Sequence, residues 1–342
     1  MSSTVVIQTK QGIGDSIWHL PFIRAIAAAA GESVTLLALP STHARELFQA
    51  EPSVAQTFYF ENRGSELARG AQLVRLIRML RGLSCRTVWI LDRSARPALA
   101  ATLAGIPNRF GLGFGRQRWF ITNAGIDRRF YHAMPIEWLK ALMEAMQVSC
   151  PTTEPSLSLP SPLVAEIGAR FAALARPWIA IGLGASHPDK DWPDSHWIEF
   201  LHALRDRVSG TVLLVGGPSQ ARRAATLIEQ TAGAAAINAC DLAVMESTAL
   251  LSHADLFIGP DSGPMNLAAA VGTTALGLFG ATPVLGYSRF IRPILPDDGS
   301  SPAADGMRRI SPVRVLDELD RCLASAIADG TARSAGADRQ RA

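Results

Sequence analysis

The sequence predicts an α/β protein made of two doubly wound halves. Three observations carry this. Short buried-strand runs alternate with longer helical patterns along nearly the whole chain, which is the signature of parallel sheets covered on both faces. Twice a strand pattern runs into a glycine-bearing turn and then a helix, at Thr4–Ala30 and at Asp255–Val271. Between the halves, Ser149–Pro162 (SCPTTEPSLSLPSP) has no periodicity and is rich in Pro, Ser and Thr, the composition of a linker. With 342 residues the chain exceeds the size at which one core stops growing. The expected domains are 1–155 and 163–328, followed by a polar, small-residue tail, 329–342, that frays.

In the first half, Thr4–Gln8 (TVVIQ) reads as a buried strand. The loop Thr9–Asp15 carries Gly12 and Gly14, and an apolar helix follows from Ser16 to about Ala30. Asp15 stands where an N-cap is expected, and Pro21 should kink or shorten the helix start. Further strands fall at Val34–Leu39, Thr57–Phe60, Thr87–Leu91 and Asn108–Gly111, with helices at Ser41–Ala50, Ser65–Arg81, Ala95–Ala104 and Pro135–Val148. The second of these helices sets Arg69, Arg75, Arg78 and Arg81 among Leu73, Leu76, Ile77 and Leu80, so one face is apolar and another basic. The loop Phe114–Arg129, with Arg116, Arg118, Arg128 and Arg129, is the densest basic segment and a candidate for holding an anionic substrate.

The second half opens with a helix at Leu163–Leu174 and a strand at Trp178–Leu183. Strands at Thr211–Val215 and Ala235–Ala239 follow, with helices at Pro193–Arg207, Ser219–Ala232, Ala243–Ser252 and Pro312–Ala328. The most informative stretch is Ala254–Pro283. There a strand (Asp255–Gly259) meets the turn Pro260-Asp261-Ser262-Gly263-Pro264, the helix Met265–Val271 stops at Gly272, and a second strand (Ala275–Phe279) ends in Gly280-Ala281-Thr282-Pro283. The free N–H groups of such a helix start favour an anion, so a phosphate fits. Gly263 permits close approach, and Ser262 and Thr282 add hydroxyls from two strand ends. The loop Gly184–Pro193 adds Ser186 and Lys190. Lysine occurs only at positions 10, 140 and 190, so its presence in this loop is unlike surface filling.

Composition narrows the classes. Charged residues are 18% and apolar ones 48%, a globular balance. Residues 1–150 hold 17 Lys and Arg against 10 Asp and Glu, and the remainder 16 against 20, so the first half is the face for an anionic partner. No nucleic-acid-binding pattern accompanies that charge, and none is expected as partner. Cys85, Cys150, Cys240 and Cys322 are too scattered for a zinc site or a disulfide framework, which fits a reducing cytosol. No run is long enough to span a membrane, and the amino terminus lacks the basic region of a secretion signal. An NAD-dependent oxidoreductase is disfavoured, because Ile17 stands where the third glycine of a dinucleotide fingerprint belongs.

Taken together, GDSIWHLP at 14–21, GASHPDKDWP at 184–193 and GPDSGPMNLAAAVGTTALGLFGATP at 259–283 resemble the ADP-heptose:lipopolysaccharide heptosyltransferases, family 9 of the glycosyltransferases. The motifs stand in the family's order. The resemblance implies a GT-B architecture, two Rossmann-like domains facing across a cleft, with the donor held by the C-terminal domain and the acceptor by the N-terminal one. It implies cytoplasmic transfer of a heptose or related sugar from a nucleoside-diphosphate sugar such as ADP-heptose to an anionic saccharide or glycolipid, with peripheral contact at the inner membrane. Inversion at the anomeric carbon, without metal ion or cofactor, is also implied. Asp15 matches the family's proposed general base, Ser186 and Lys190 its diphosphate contacts, and Asp261, Ser262 and Gly263 its donor loop.

Two positions depart from the pattern. Asn266 stands where the family usually has His, and an amide can donate a hydrogen bond but cannot shuttle a proton. The acidic residue that often follows the strand at Val215 is missing, and Gln220 is its substitute. Asn266 favours a second reading, a GT-B protein that binds nucleotide sugars but has lost catalysis, whereas Asp15 and Lys190 argue for an enzyme.

Overall fold

The computed structural model describes residues 2–62, 65–185, 187–231, 235–284 and 286–328. These divide at Pro160 into two compact units, and the short stretch 286–288 is counted with the first. The tail 329–342 lies outside the described residues. Among the described residues no helix is long and apolar enough to cross a membrane.

The first unit runs β1 (Thr4–Ile7), α1 (Ile13–Ala30), β2 (Val34–Ala38), α2 (Ala44–Leu47), β3 (Val54–Tyr59), α3 (Glu66–Leu83), β4 (Thr87–Ile90), α4 (Ala95–Leu103), β5 (Asn108–Phe110) and α5 (Pro135–Ala145). Its five strands are all parallel in the order β3-β2-β1-β4-β5. β1 and β2 are buried along their whole length, as two-sided cover requires of apolar runs. Val5, Ile7, Leu37, Val88 and Ile90 form one side of the core with Leu76 and Leu80 of α3 and Ala98 and Ala101 of α4.

The second unit runs α6 (Ser161–Phe171), β6 (Trp178–Gly182), α7 (Asp194–Arg205), β7 (Thr211–Val215), α8 (Ala221–Gln230), β8 (Ala236–Asn238), α9 (Val244–His253), β9 (Leu256–Pro260), α10 (Gly263–Ala270), β10 (Ala275–Leu278), β11 (Ile291–Ile294) and α11 (Pro312–Ala328). Six parallel strands lie in the order β11-β10-β9-β6-β7-β8. Trp192, Trp197 and Phe200 anchor α7 in its core.

Four details differ from expectation. β11 does not read as a strand in the sequence because Pro293 interrupts it; it is the edge strand, where a missing N–H costs no ladder bond. The helix expected over 41–50 shrinks to the single turn α2, because His43 takes a left-handed conformation (φ 52°) and breaks it from the short 3-10 turn Pro40–Thr42. α1 starts three residues early, at Ile13, and continues through Pro21 to Ala30. α6 begins at Ser161 and so takes the last two residues assigned to the linker. None of the four cysteines is in a disulfide, and burial pushes the Cys85 and Cys240 thiols up to about 11.

Candidate active site

In an open parallel sheet, ligands bind beyond the carboxyl ends of the strands where the strand order reverses. The order reverses between β1 and β4 in the first sheet and between β6 and β9 in the second. Polar side chains concentrate at both places.

At the second, the turn after β9 and the loop after β6 meet. Asp261 Oδ2 accepts from Lys190 Nζ at 2.8 Å and from Thr282 Oγ1 at 2.9 Å, and Lys190 Nζ also reaches the Asp261 carbonyl at 3.3 Å. Two residues far apart in sequence, Lys190 and Thr282, are thereby gathered on the one Asp261 carboxylate, half a turn before α10. Ser262 is the N-cap of α10 by backbone conformation (φ −149°, ψ 175°), but its buried hydroxyl has no hydrogen-bond partner among the described residues. The N–H groups of Gly263 and Met265, in the first turn, have no intrahelical acceptor. Pro264 is the second helical residue rather than the first. A hydroxyl and two amides at the positive end of a helix dipole, next to a lysine, form a cradle for phosphate oxygens.

Two glycines let this cradle close up. A Cβ on Gly182 would lie 2.6 Å from Phe257 Cζ, and one on Gly184 would lie 2.7 Å from Gln220 Nε2. Gln220 thus sits over the ends of β6 and β7, between Gly184 and Gly216. Asn266 is buried and spends its amide on the Ser262 carbonyl (2.7 Å), reinforcing the helix start. Ser186 lies outside the described residues. The loop is held from behind by Arg223, which binds the carbonyls of Leu183 and Trp192 (3.0 Å) and the Asp194 carboxylate (2.8 Å). Asp191 accepts from the Ala185 N–H at 3.1 Å, and burial pushes its carboxyl up against the pull of Arg223. Sequence reading missed Arg223, which stands 31 residues beyond Trp192 in the chain and so gives no local signal. A cavity lined by Leu201, Ser209, Gly210 and Thr211 lies at the opposite, amino edge of the sheet.

At the switch point of the first sheet, Asp15 is the third residue of α1 and not its N-cap, which is Gly12. Its carboxylate accepts from the Gly12 N–H at 3.1 Å. A Cβ at Gly12 would crowd it at 3.1 Å, so glycine leaves room for the carboxylate to fold back over the loop. Below the loop, Gln8 joins Ser16 (2.7 Å) and His19 Nδ1 (2.9 Å) in a buried chain. Beside it, the buried Asp92 carboxylate accepts from Thr9 N (2.8 Å), Thr9 Oγ1 (2.7 Å) and Ser94 N (2.7 Å), tying the β1 loop to the β4 loop. Gln117, fully buried, donates to the Asp92 (2.8 Å) and Ser94 (3.1 Å) carbonyls and accepts from Gly113 N (2.8 Å). Asp92 and Gln117 are the other residues that sequence reading missed; the only signal was a carboxylate closing an apolar strand run.

With Gln117 pinned inward, Arg116 and Arg118 project outward from the 3-10 turn Gly115–Trp119, and both are exposed. Arg128 and Arg129 are exposed on a second such turn, Arg128–His132, where Arg129 leans on Asp127 at 3.8 Å. Phe114 and Tyr131 pack edge to face at 5.3 Å and connect the two turns. Arg93, on the β4 loop, stacks over Trp138 (4.4 Å) and Tyr131 (5.2 Å) and adds a cation not singled out from the sequence.

His19 yields a pH prediction. Burial lowers it to about 4, with Asp92 pulling the other way and Lys10 adding to the fall. The folded state therefore refuses a proton that the unfolded chain takes up near 6.5, so His19's contribution is fully present above 6.5 and is lost as pH falls toward 4. A shift of this size corresponds to roughly 3 kcal/mol of unfolding free energy. Urea unfolding at pH 7.5 and pH 4.5 should show that loss, and His19→Gln should flatten it; an unchanged slope in His19→Gln would place the titration elsewhere.

Two parallel sheets, each with its polar residues at the reversal of strand order, are the GT-B class of α/β fold. The family description "Glycosyltransferase family 9 (heptosyltransferase)" matches residues 73–294, and the chain belongs to that family. It is 26% identical over 185 residues to the lipopolysaccharide core heptosyltransferase OpsX of Haemophilus influenzae, a match covering 51% of this chain and about half (52%) of that relative. Its fold is similar to ADP-heptose lipopolysaccharide heptosyltransferase II of E. coli (TM-score 0.75, 21% identity, covering 94% of this chain and 99% of that one). It is also similar to E. coli heptosyltransferase WaaC solved with ADP-2-deoxy-2-fluoro heptose (TM-score 0.70, 16% identity, covering 93% and 99%).

Proposed function

We propose that this chain transfers a heptose, or a closely related sugar, from ADP-heptose to the saccharide core of a lipopolysaccharide precursor, with inversion and without a metal ion. The observation that carries the reading is the gathering of Lys190, Asp261 and Thr282 at the open start of α10. The name of the Haemophilus influenzae relative and the donor analogue in the E. coli structure support the choice of sugar and nucleotide. The second unit is the donor domain, and the first, basic unit is the acceptor domain, working at the cytoplasmic face of the inner membrane.

In this reading the acceptor hydroxyl gives its proton to the Asp15 carboxylate as its oxygen attacks the anomeric carbon. The bond from that carbon to the diphosphate breaks, and its electron pair leaves with the nucleoside diphosphate. One displacement from the far side inverts the centre. Lys190, the Ser262 hydroxyl and the α10 amides meet the charge growing on the leaving group, and so act more strongly on the transition state than on the bound donor. Arg116, Arg118, Arg128 and Arg129 hold the anionic acceptor, and Gln220 and Asn266 shape the donor pocket.

A panel of nucleoside-diphosphate sugars, scored by protection against thermal unfolding, tests the donor. ADP-heptose at a hundred times its dissociation constant should add about 2.7 kcal/mol, and UDP- or GDP-sugars much less. Turnover with excess EDTA should match turnover without it. Protection by other nucleotides alone, or activity lost to EDTA and restored by a divalent cation, would overturn the respective part. Protection without turnover would favour the binding-only reading that Asn266 raises.

A further inference from the structure

Five of the seven large apolar side chains exposed among the described residues belong to the first unit, and four of them lie on α3, α4 and the adjoining turn: Leu67 (91%), Val74 (45%), Leu103 (48%) and Trp119 (65%). On α3, Leu67, Ala71, Val74, Arg75, Arg78 and Arg81 fall within an arc of about 120° at 3.6 residues per turn. Leu76 and Leu80, on the opposite side, are in the core. The strip is continuous. Arg81 Nη2 donates to the Leu103 carbonyl at 2.8 Å, joining the C-terminal ends of α3 and α4, and Thr102 Oγ1 donates to the Phe120 carbonyl at 3.1 Å, joining α4 to the turn that carries Trp119.

The charge of this strip is one-sided. From Ser65 to Ile126 the chain has ten arginines against two acidic residues, Glu66 and Asp92, and Asp92 is buried in the loop network described above. Arg75 has a long contact with Glu61 at 3.9 Å, both groups being well exposed. Arg78 and Arg81 are exposed beside Val74 and Leu103. Apolar side chains held out into solvent and rimmed by guanidinium groups match an anionic bilayer, where the apolar groups enter the acyl boundary and the cations meet phosphate headgroups.

We infer that the α3–α4 face, centred on Leu67, Val74 and Leu103 and rimmed by Arg75, Arg78 and Arg81, docks the protein onto an anionic lipid surface. The inference deepens the membrane contact in the reading above by assigning it a surface. Trp119 continues the face to Arg116 and Arg118, so a docked protein would present its acceptor-side arginines at headgroup level. The surface does not depend on which sugar is transferred.

The test is sedimentation of the full chain with vesicles, compared with transfer to a lipid-free saccharide acceptor. The parent should bind phosphatidylglycerol–phosphatidylethanolamine vesicles, lose that binding as salt is raised, and bind phosphatidylcholine vesicles far more weakly. Leu67→Ser/Val74→Ser/Leu103→Ser should weaken binding about ten-fold or more. Arg75→Gln/Arg78→Gln/Arg81→Gln should weaken it about a hundred-fold at low salt, at about five-fold for each charge. Both triple variants change exposed side chains and should keep the parent's turnover on the lipid-free acceptor and its Tm, apart from the small fall that losing the exposed Arg81–Leu103 carbonyl hydrogen bond brings. Equal binding to neutral and anionic vesicles, undiminished binding by either variant, or a parental dimer that the leucine variant dissociates would overturn the inference. Vesicle binding is read without turnover, so failure of the transferase reading and failure of the docking surface give separate results.

Discussion

Asp15→Asn is expected to leave a folded protein with unchanged donor affinity and turnover lowered by a factor of roughly 10²–10⁴, the usual contribution of a positioned proton acceptor. The structure sharpens this expectation. Asp15 is the third residue of α1, and its side chain accepts from the Gly12 N–H at 3.1 Å, the half of a capping box that an acid or an amide fills equally well. The asparagine oxygen keeps that hydrogen bond, so the structural loss is confined to the interaction of one charge with the helix start, about 0.3–1 kcal/mol. An amide cannot accept the acceptor's proton. Single-turnover rates, measured where chemistry limits, separate the two roles. Turnover within a few-fold of the parent, with or without a loss of stability, would make Asp15 a helix-start residue only and send the search for the base elsewhere.

Lys190→Ala should lower turnover by roughly 10²–10³, the range for removing a preorganised group aimed at developing charge, and should weaken nucleoside-diphosphate binding as well. Its effect has two parts, because Lys190 is paired with Asp261 at 2.8 Å and both side chains are largely buried (23% and 12% exposed). Removing the lysine takes away a cation and also leaves the Asp261 carboxylate facing the phosphate cradle with Thr282 as its one remaining side-chain donor among the described residues. Adding Asp261→Asn removes that repulsion. The double variant should therefore recover donor affinity relative to Lys190→Ala while turnover stays low, since the charge that stabilises the leaving group is still missing. Isothermal titration with the nucleoside diphosphate, set beside single-turnover rates, reads both. Parental binding and rate in Lys190→Ala would remove this loop from the donor site.

The same comparison of roles applies to Asn266. Its amide is committed to the Ser262 carbonyl, four residues back on α10, so it stabilises the start of the helix whose amides form the cradle. A polar residue is retained there, buried and satisfied, although it cannot carry charge.

What the sequence by itself determined is local and periodic. Apolar runs of four or five residues with helices between them specify parallel sheets, because only strands covered on both faces tolerate that composition. The glycine loop before α1 and the Pro-Asp-Ser-Gly-Pro turn before α10 were legible because their chemistry is contained in a few consecutive residues. The position of Asp15 within its helix was not, since whether residue 12 or 15 begins the helix turns on how the chain leaves β1. Only the tertiary structure decided which distant residues share a hydrogen bond. Thr282 reads from the sequence as a hydroxyl at a strand end, and the structure adds that this hydroxyl donates to Asp261, 21 residues earlier. Asp92 was invisible as the partner of Thr9, and Gln117 as the partner of the Asp92 carbonyl, because strand order, not sequence order, places β4 between β1 and β5 and brings their loops together. Pairing across a sheet depends on which strands become neighbours, and no window along a single chain contains that information.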